Sequence, residues 1–201
     1  MLVSSYLDGK PASAQDKIDR IIKAATLLFA QKGFYGTAVP EVSRAANVAA
    51  GTIYRYFSDK DDLANAVFQS SKLKLKAYLE QGVFDDANAS IEAQFGLAWD
   101  NLCKFALDNP QDCTFLELHD HSKYLDRQSK RIERSVIAPF ILYLSMGRKA
   151  GVIKDLPAIM LVAMVWGVFV GLFKADTQGY QRITPTVVAD AKELCWQLIS
   201  K

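Results

Sequence analysis

The sequence predicts an all-α protein of about nine helices, with a small N-terminal head followed by a larger helical part. Three observations carry this. Apolar residues recur at the three- and four-residue spacing of a helix in almost every segment, and no segment alternates as a half-buried strand would. Gly33, Pro110 and Gly151 stand where these stripes stop, as helix-ending residues do. Half of the 201 residues are hydrophobic, which supplies a real core and excludes a chain disordered throughout.

Taken in order, residues 1–14 are rich in Ser, Ala, Gly and Pro and read as a loose arm, with Lys10 free to touch a phosphate. The first helix is expected over residues 14–32, with Ile18, Ile21, Ile22, Ala25, Leu28 and Phe29 on one face. Gly33 ends it. Thr37 is the expected N-cap of the second helix, and Pro40 falls in its first turn. Val39, Val42 and Ala46 share its inner face. Asn47 is the turn residue, since asparagine tolerates the left-handed conformation. The third helix runs over about 49–56 with Ile53 and Phe57 inward. Ser58 and Asp61 are spaced as a capping box for a fourth helix over about 59–81. Further helices are expected over about 90–109, 110–121, 126–150 (kinked at Pro139), 157–177 and 185–199. The domains expected are an arm (1–14), a head (15–60) and a large helical domain (61–201).

The outward residues of the third helix are Ala50, Gly51, Thr52, Tyr54, Arg55 and Tyr56. Small residues at its front let a backbone approach a groove wall, and hydroxyls and a guanidinium follow. A helix-turn-helix needs this arrangement: a narrow end for the major groove and hydrogen-bonding groups behind it. Arg55 suits a guanine edge; Thr52, Tyr54 and Tyr56 suit phosphates or a thymine methyl. Lys60 stands near the start of the fourth helix, where amides and an ammonium together hold a phosphate oxygen. Thr37 and Arg44 complete the DNA-contact set. The overall charge is only +2, but residues 1–60 hold eight Lys/Arg against five Asp/Glu, so the basic excess lies on the head.

The run A-A-N-V-A-A-G-T-I-Y-R-Y-F-S-D-K-D-D-L, residues 45–63, resembles the signature of the tetracycline-repressor (TetR) family of bacterial regulators. Gly51, Thr52, Tyr54, Tyr56, Phe57, Lys60 and Leu63 fall on matching positions. Asn47 replaces a glycine, Ala49 a serine, Ile53 a leucine and Asp61 a glutamate. Only the lost serine touches an expected DNA contact, so it bears on operator sequence. The resemblance covers residues 15–65. It implies DNA contacts from Thr52, Tyr54, Arg55, Tyr56 and Lys60, and pairing of two chains through their last two helices into a four-helix interface.

The eighth helix is apolar all round and must be covered on every side. One chain offers it few neighbours, so a second copy is expected to cover part of it. Gly167 and Gly171, four apart, allow close approach of two helices. The expected dimer contacts are Trp166, Gly167, Val170, Gly171, Val187, Ala191, Leu194 and Leu198. The alternative is the central core helix of a monomer. The fifteen-residue apolar run at 159–173 is short for a membrane span, and no membrane partner is expected.

No nucleophile elbow, phosphate-binding glycine loop or paired acidic motif occurs, so no enzyme chemistry and no cofactor are expected. His119 and His121, two apart on a helix, do not share a face, and no metal site is expected. Cys103, Cys113 and Cys195 form no C-x-x-C pair, which argues for a reducing compartment, the cytoplasm. Aromatics on the middle helices suit a small lipophilic effector. The ligand candidates are Phe95, Trp99, Phe115, Tyr124, Phe140, Tyr143 and Trp166, with Asp100, Cys103, His119 and Tyr143 as polar groups to orient it. Any one of these aromatics is also an ordinary core residue.

Together these readings predict a homodimeric repressor released from a palindromic double-stranded operator by a small-molecule effector. The fourth helix is long enough to link the two functions. The rival readings are a helical-bundle carrier or enzyme without DNA binding, and a DNA binder or activator without a ligand.

Overall fold

The computed structural model describes residues 11–86 and 88–201. Among them run nine helices: α1 (Ala12–Gly36), α2 (Val39–Ala45), α3 (Ala50–Tyr56), α4 (Lys60–Glu80), α5 (Ile91–Asp108), α6 (Pro110–Leu118), α7 (Arg127–Lys149), α8 (Ala158–Thr177) and α9 (Pro185–Ile199). No strand forms in them; one isolated bridge joins Ile153 and Ser200. Ala12 to Ala14, expected in the arm, already belong to α1. Lys10 lies outside the described residues.

The expected breaks fall where the backbone turns left-handed. Gly33 has φ +72° inside α1, and one further turn carries that element to Gly36. Asn47 has φ 51° and is the only non-glycine with positive φ among the described residues, at the turn between α2 and α3. Gly151 closes α7 at φ +76°.

Two caps differ from expectation. Thr37 does not cap α2. It is the C-cap residue of α1, and its buried hydroxyl donates to the carbonyls of Gly33 (2.9 Å) and Leu28 (3.2 Å). Ala38 is the N-cap of α2, and its N–H donates to the Glu41 carboxylate at 3.0 Å. The start of α4 is capped one residue later than expected. The Asp62 N–H donates to Asp59, and the Asp62 carboxylate accepts from the Ser58 N–H and hydroxyl. A box on Asp61 would have needed Ser58, and not Asp59, beside the first helical residue.

The chain forms two compact units: residues up to Lys74 with Asn109–Arg134, and Leu75–Asp108 with Ser135–Lys201. The divisions fall inside α4 and α7 and between α5 and α6. They therefore differ from the expected boundary at 60/61, because the first turns of α4 pack with α6 and the start of α7.

Buried polar side chains hold those parts of the first unit together. The Asn65 amide donates to the carbonyls of Asp61 and Tyr124, and its oxygen accepts from the Asp126 N–H and the Ser129 hydroxyl. Gln69 donates to Ser129 at 3.1 Å. Asp112 accepts from Ser71 at 2.7 Å and from Lys74 at 2.8 Å. Ile18, Ile21, Phe29, Ile53, Phe57, Leu63 and Phe68 are the buried apolar core of the same unit.

The second unit has a hydrocarbon core built on Trp99, Phe105, Leu161, Phe169, Phe173 and Ile199. Its long helix α8 buries only Ala158, Leu161, Phe169 and Phe173. By length and composition alone α8 would suffice to cross a membrane; eight of its twenty residues are half-buried and eight are exposed.

Candidate functional site

The reading surface is set by three braces. Arg20 of α1 reaches across to the turn and donates to the carbonyls of Ala46 (3.2 Å) and Asn47 (3.4 Å). These carbonyls belong to the C-cap of α2 and to the turn residue after it, where no helical amide follows to bond them. Lys32 bonds Glu41 at 2.7 Å, and this bond, more than the Ala38 amide, holds the Glu41 carboxyl below its ordinary range. Ile53 and Phe57 anchor α3 from beneath.

Of the expected DNA contacts, Arg44, Ala50, Gly51, Tyr54 and Arg55 are exposed, while Thr52, Tyr56 and Lys60 are half-buried. Thr37 is buried with its hydroxyl engaged, so it offers no side chain to DNA. Arg55 donates to the Tyr56 hydroxyl at 2.7 Å, and its guanidinium lies 4.9 Å from that ring's centre. The Lys60 ammonium lies 4.3 Å from the centre of the Phe34 ring. Partial burial lowers its pKa, and the neighbouring Asp61 opposes that shift.

Gly51 is informative. A Cβ there would meet nothing within 4 Å, so the fold does not require a glycine. Glycine costs a helix about 1 kcal/mol relative to alanine.

The second unit has a half-open cavity of about 90 Å³ between α5, α7 and α8, with Leu79 and Ile199 also in its lining. Of the ligand candidates, Phe95, Trp99, Phe140, Tyr143 and Trp166 line it. The Trp99 indole N–H donates to the Val188 carbonyl at 3.0 Å, and the Tyr143 hydroxyl donates to the Ile91 carbonyl. Burial raises the Tyr143 pKa, so the ring stays neutral. Both polar tips are therefore spent on the protein's own backbone.

The other ligand candidates lie elsewhere. Asp100 is on the surface, paired with Lys192 at 2.8 Å. Cys103 is buried outside the cavity, and burial first, then Asp100, pushes its thiol up to about 12. Phe115, His119 and Tyr124 belong to the first unit. Phe115 stacks on Phe29 at 5.8 Å, His119 bonds the Ala30 carbonyl at 3.1 Å, and Tyr124 stacks on Phe34 at 4.5 Å. Sequence reasoning missed the aliphatic lining: Ala98, Leu102, Val136, Ile137, Leu144, Leu161, Val162 and Val165. The signal was there in the helical spacing of these residues on α5, α7 and α8, but an eye for aromatics passes over it.

Of the expected pairing residues, Gly167 and Gly171 are exposed, and a Cβ on either would meet nothing within 4 Å. Leu194 is 64% exposed. Val187, Ala191, Leu194 and Leu198 of α9 line, with Val168 and Leu172 of α8, an open groove of about 470 Å³. Val170 is half-buried, and so is Trp166, which lines the cavity.

A family model for tetracyclin repressor-like C-terminal domains matches residues 68–201, and one for bacterial regulatory proteins of the tetR family matches residues 21–67. The chain belongs to the TetR family. It is a DNA-binding transcriptional regulator of the helix-turn-helix type. The TetR-family regulator of Marinobacter aquaeolei has the same fold, with a TM-score of 0.83 at 20% identity over 93% of this chain and 97% of that one. So has FadR of Bacillus subtilis, solved in complex with stearoyl-CoA, at a TM-score of 0.75 and 20% identity over 88% and 96%. The HTH-type transcriptional repressor BepR of Brucella suis is 26% identical over 78% of this chain and 80% of its own. Other curated relatives are matched over 71 and 73 residues, about a third of their own lengths.

Proposed function

We propose that this TetR-family chain is a cytoplasmic repressor, and that two copies read a palindromic operator through α3. The observation that carries this is the outer face of α3: exposed Tyr54 and Arg55 behind a Gly51 that the fold does not require. In this reading Arg55 leaves Tyr56 to meet a base edge. Thr52, Tyr54, Tyr56, Arg44 and Lys60 hold phosphates, and Ala50 and Gly51 let the backbone close on the groove. A repressor among the relatives supports the direction of control.

Pairing runs through the exposed faces of α8 and α9. Gly167 and Gly171 let two α8 helices approach, and Leu194 and Leu198 supply the apolar cover. Two-fold pairing sets the half-sites about one helical turn, or a multiple of it, apart.

The effector enters the cavity between α5, α7 and α8. Its walls accept a hydrocarbon group and offer no spare hydrogen bond, so the part bound there is neutral and lipophilic. A neighbour of the same fold that holds an acyl-CoA supports this class. The effector favours a conformation in which the two heads no longer match the groove spacing. This reading gives the chain no catalytic step. On function, residues 15–60 form the DNA-reading domain and 61–201 the effector and pairing domain.

The test is selection of bound fragments from the source organism's DNA. Enrichment of a palindrome beside a gene supports the reading. Binding no tighter than to random duplex overturns it.

A further inference from the structure

The first unit carries a cationic shelf outside the helix-turn-helix. Its base is an aromatic cluster at the end of α1. Phe34 stacks on Tyr124, with ring centres 4.5 Å apart, and meets Tyr35 edge-on at 5.1 Å. Lys60 lies over Phe34 at 4.3 Å. Lys123, in the turn between α6 and α7, lies 5.8 Å from the centre of the Tyr35 ring. Those three contacts laid end to end keep the two ammonium groups within about 15 Å of each other.

Tyr35 is 74% exposed, so burial does not account for a tyrosine there. Lys123 is exposed as well. Two carboxylates stand close: Asp61 beside Lys60, and Asp120 near Lys123. Asp120 is committed to the Ser122 amide at 2.9 Å, and among the described residues neither Lys123 nor the Tyr35 hydroxyl makes a hydrogen bond or ion pair. Beyond Lys123 the first turns of α7 present Arg127, Lys130, Arg131 and Arg134, all exposed and without an ion pair among the described residues. At three- and four-residue spacing they share a face.

We propose that Tyr35 and Lys123 bind the DNA backbone flanking the operator half-site, extending the phosphate contact made by Lys60, with Arg127 and Lys130 adding attraction beyond it. The proposal rests on the operator-binding reading. The partner is a duplex phosphate backbone because the shelf belongs to the same compact unit as α3. Its chemistry, a phenol beside spaced ammonium groups, matches phosphate oxygens. Phosphates on one strand follow one another every 3.4 Å along the axis. A reach of at most about 15 Å therefore spans at most about four of them. Such contacts fix position and add salt-dependent affinity without sequence preference.

The test is the slope of log affinity against log salt for the full-length protein, on operator and on random duplex. Each phosphate contact contributes about 0.9 to the slope, and a dimer uses each residue twice. Lys123→Gln should therefore flatten the slope by nearly 2 on both duplexes while leaving the operator preference unchanged. Lys123→Arg should restore the wild-type slope. Tyr35→Phe keeps the ring and should weaken both complexes about thirtyfold, as two lost hydrogen bonds per dimer would.

An unchanged slope for Lys123→Gln overturns the proposal, even if affinity drops, because the lysine would then only be packing on Tyr35. Loss of operator preference alone also overturns it. If Arg55→Ala removes operator preference while Lys123→Gln leaves the slope intact, the operator reading stands and the shelf falls. If the wild-type protein binds no duplex, both fall.

Discussion

The two units are held together by different physics. The first is knitted by buried amides, hydroxyls and carboxylates that have to meet at hydrogen-bonding distance. The second is packed hydrocarbon with a cavity inside it. A satisfied polar network tolerates one arrangement, because each misplaced group is left without a partner. Apolar packing is non-directional and tolerates rearrangement. A part that must present α3 to a groove benefits from the first kind of core. On the proposed function, the part that accepts a hydrocarbon and responds to it benefits from the second.

The largest expected effect comes from cutting the network at its centre. Asn65→Leu removes four hydrogen bonds and strands the Tyr124 carbonyl, the Asp126 N–H and the Ser129 hydroxyl. The cost should be about 3 kcal/mol in chemical denaturation. A cost below about 1 kcal/mol would mean that the network is ornamental and the contrast between the units is wrong.

Acid and alkali should separate the units next. His121 is buried; its Nε2–H donates to the Phe115 carbonyl at 2.7 Å, and its Nδ1 accepts from the Tyr124 hydroxyl. Burial, with the charge of Lys72 adding to it, lowers its pKa to about 4. The unfolded chain takes up the proton near 6.5, and the folded one resists it. The neutral ring's contribution is thus complete above pH 6.5 and is lost as pH falls toward 4, by at most about 3 kcal/mol. In the second unit burial pushes Cys103 up to about 12 and Cys195 up to about 11. Their contribution is present below the unfolded thiol pKa and is lost as pH rises through 9 and beyond. Amide exchange at pH 5 and pH 9.5 should show the first unit loosening in acid and the second in alkali. Equal loosening of both at either pH would break the comparison.

Gly51 and Gly167 test the surfaces rather than the cores. Each is a helical glycine with open space where a Cβ would go. Gly51→Ala and Gly167→Ala should each raise stability by about 1 kcal/mol through helix propensity. Gly51→Ala should weaken operator binding and leave the protein paired; Gly167→Ala should weaken pairing, read by ultracentrifugation. A gain in stability with no loss of either function would remove that glycine from its interface.

Local rules made much of this legible. Asn47 could be read as the turn because few other residues accept its φ, and α9 has the bounds its apolar stripe and Pro185 imply. Thr37 was misread because a threonine before a helix looks the same whether its hydroxyl turns forward to cap α2 or back to the carbonyls of α1. Phe115 and Tyr124 were misplaced because helical spacing gives the direction a side chain takes on its own helix, not which unit that helix joins. The polar network was invisible for a related reason. Asn65 and Ser129 are 64 residues apart, and nothing in either segment announces the other.

The smallest expected effect is the one that most sharpens the contrast. Val165→Ile adds one methylene toward the cavity between α5, α7 and α8. If that space is empty in the free protein, the added group finds room, and stability should rise by up to about 1 kcal/mol. The same methylene occupies volume that a hydrocarbon ligand needs. Benzene, used as a neutral probe, should raise the melting temperature of the wild type and raise that of the variant less. Trp99 and Trp166 line the cavity, so their fluorescence reports the same event. A variant that loses stability would show that α5, α7 and α8 are already closely packed and that no hydrocarbon enters without moving them. A variant that gains stability and still binds benzene as the wild type does would place the probe elsewhere, and the cavity would lose its claim to the effector.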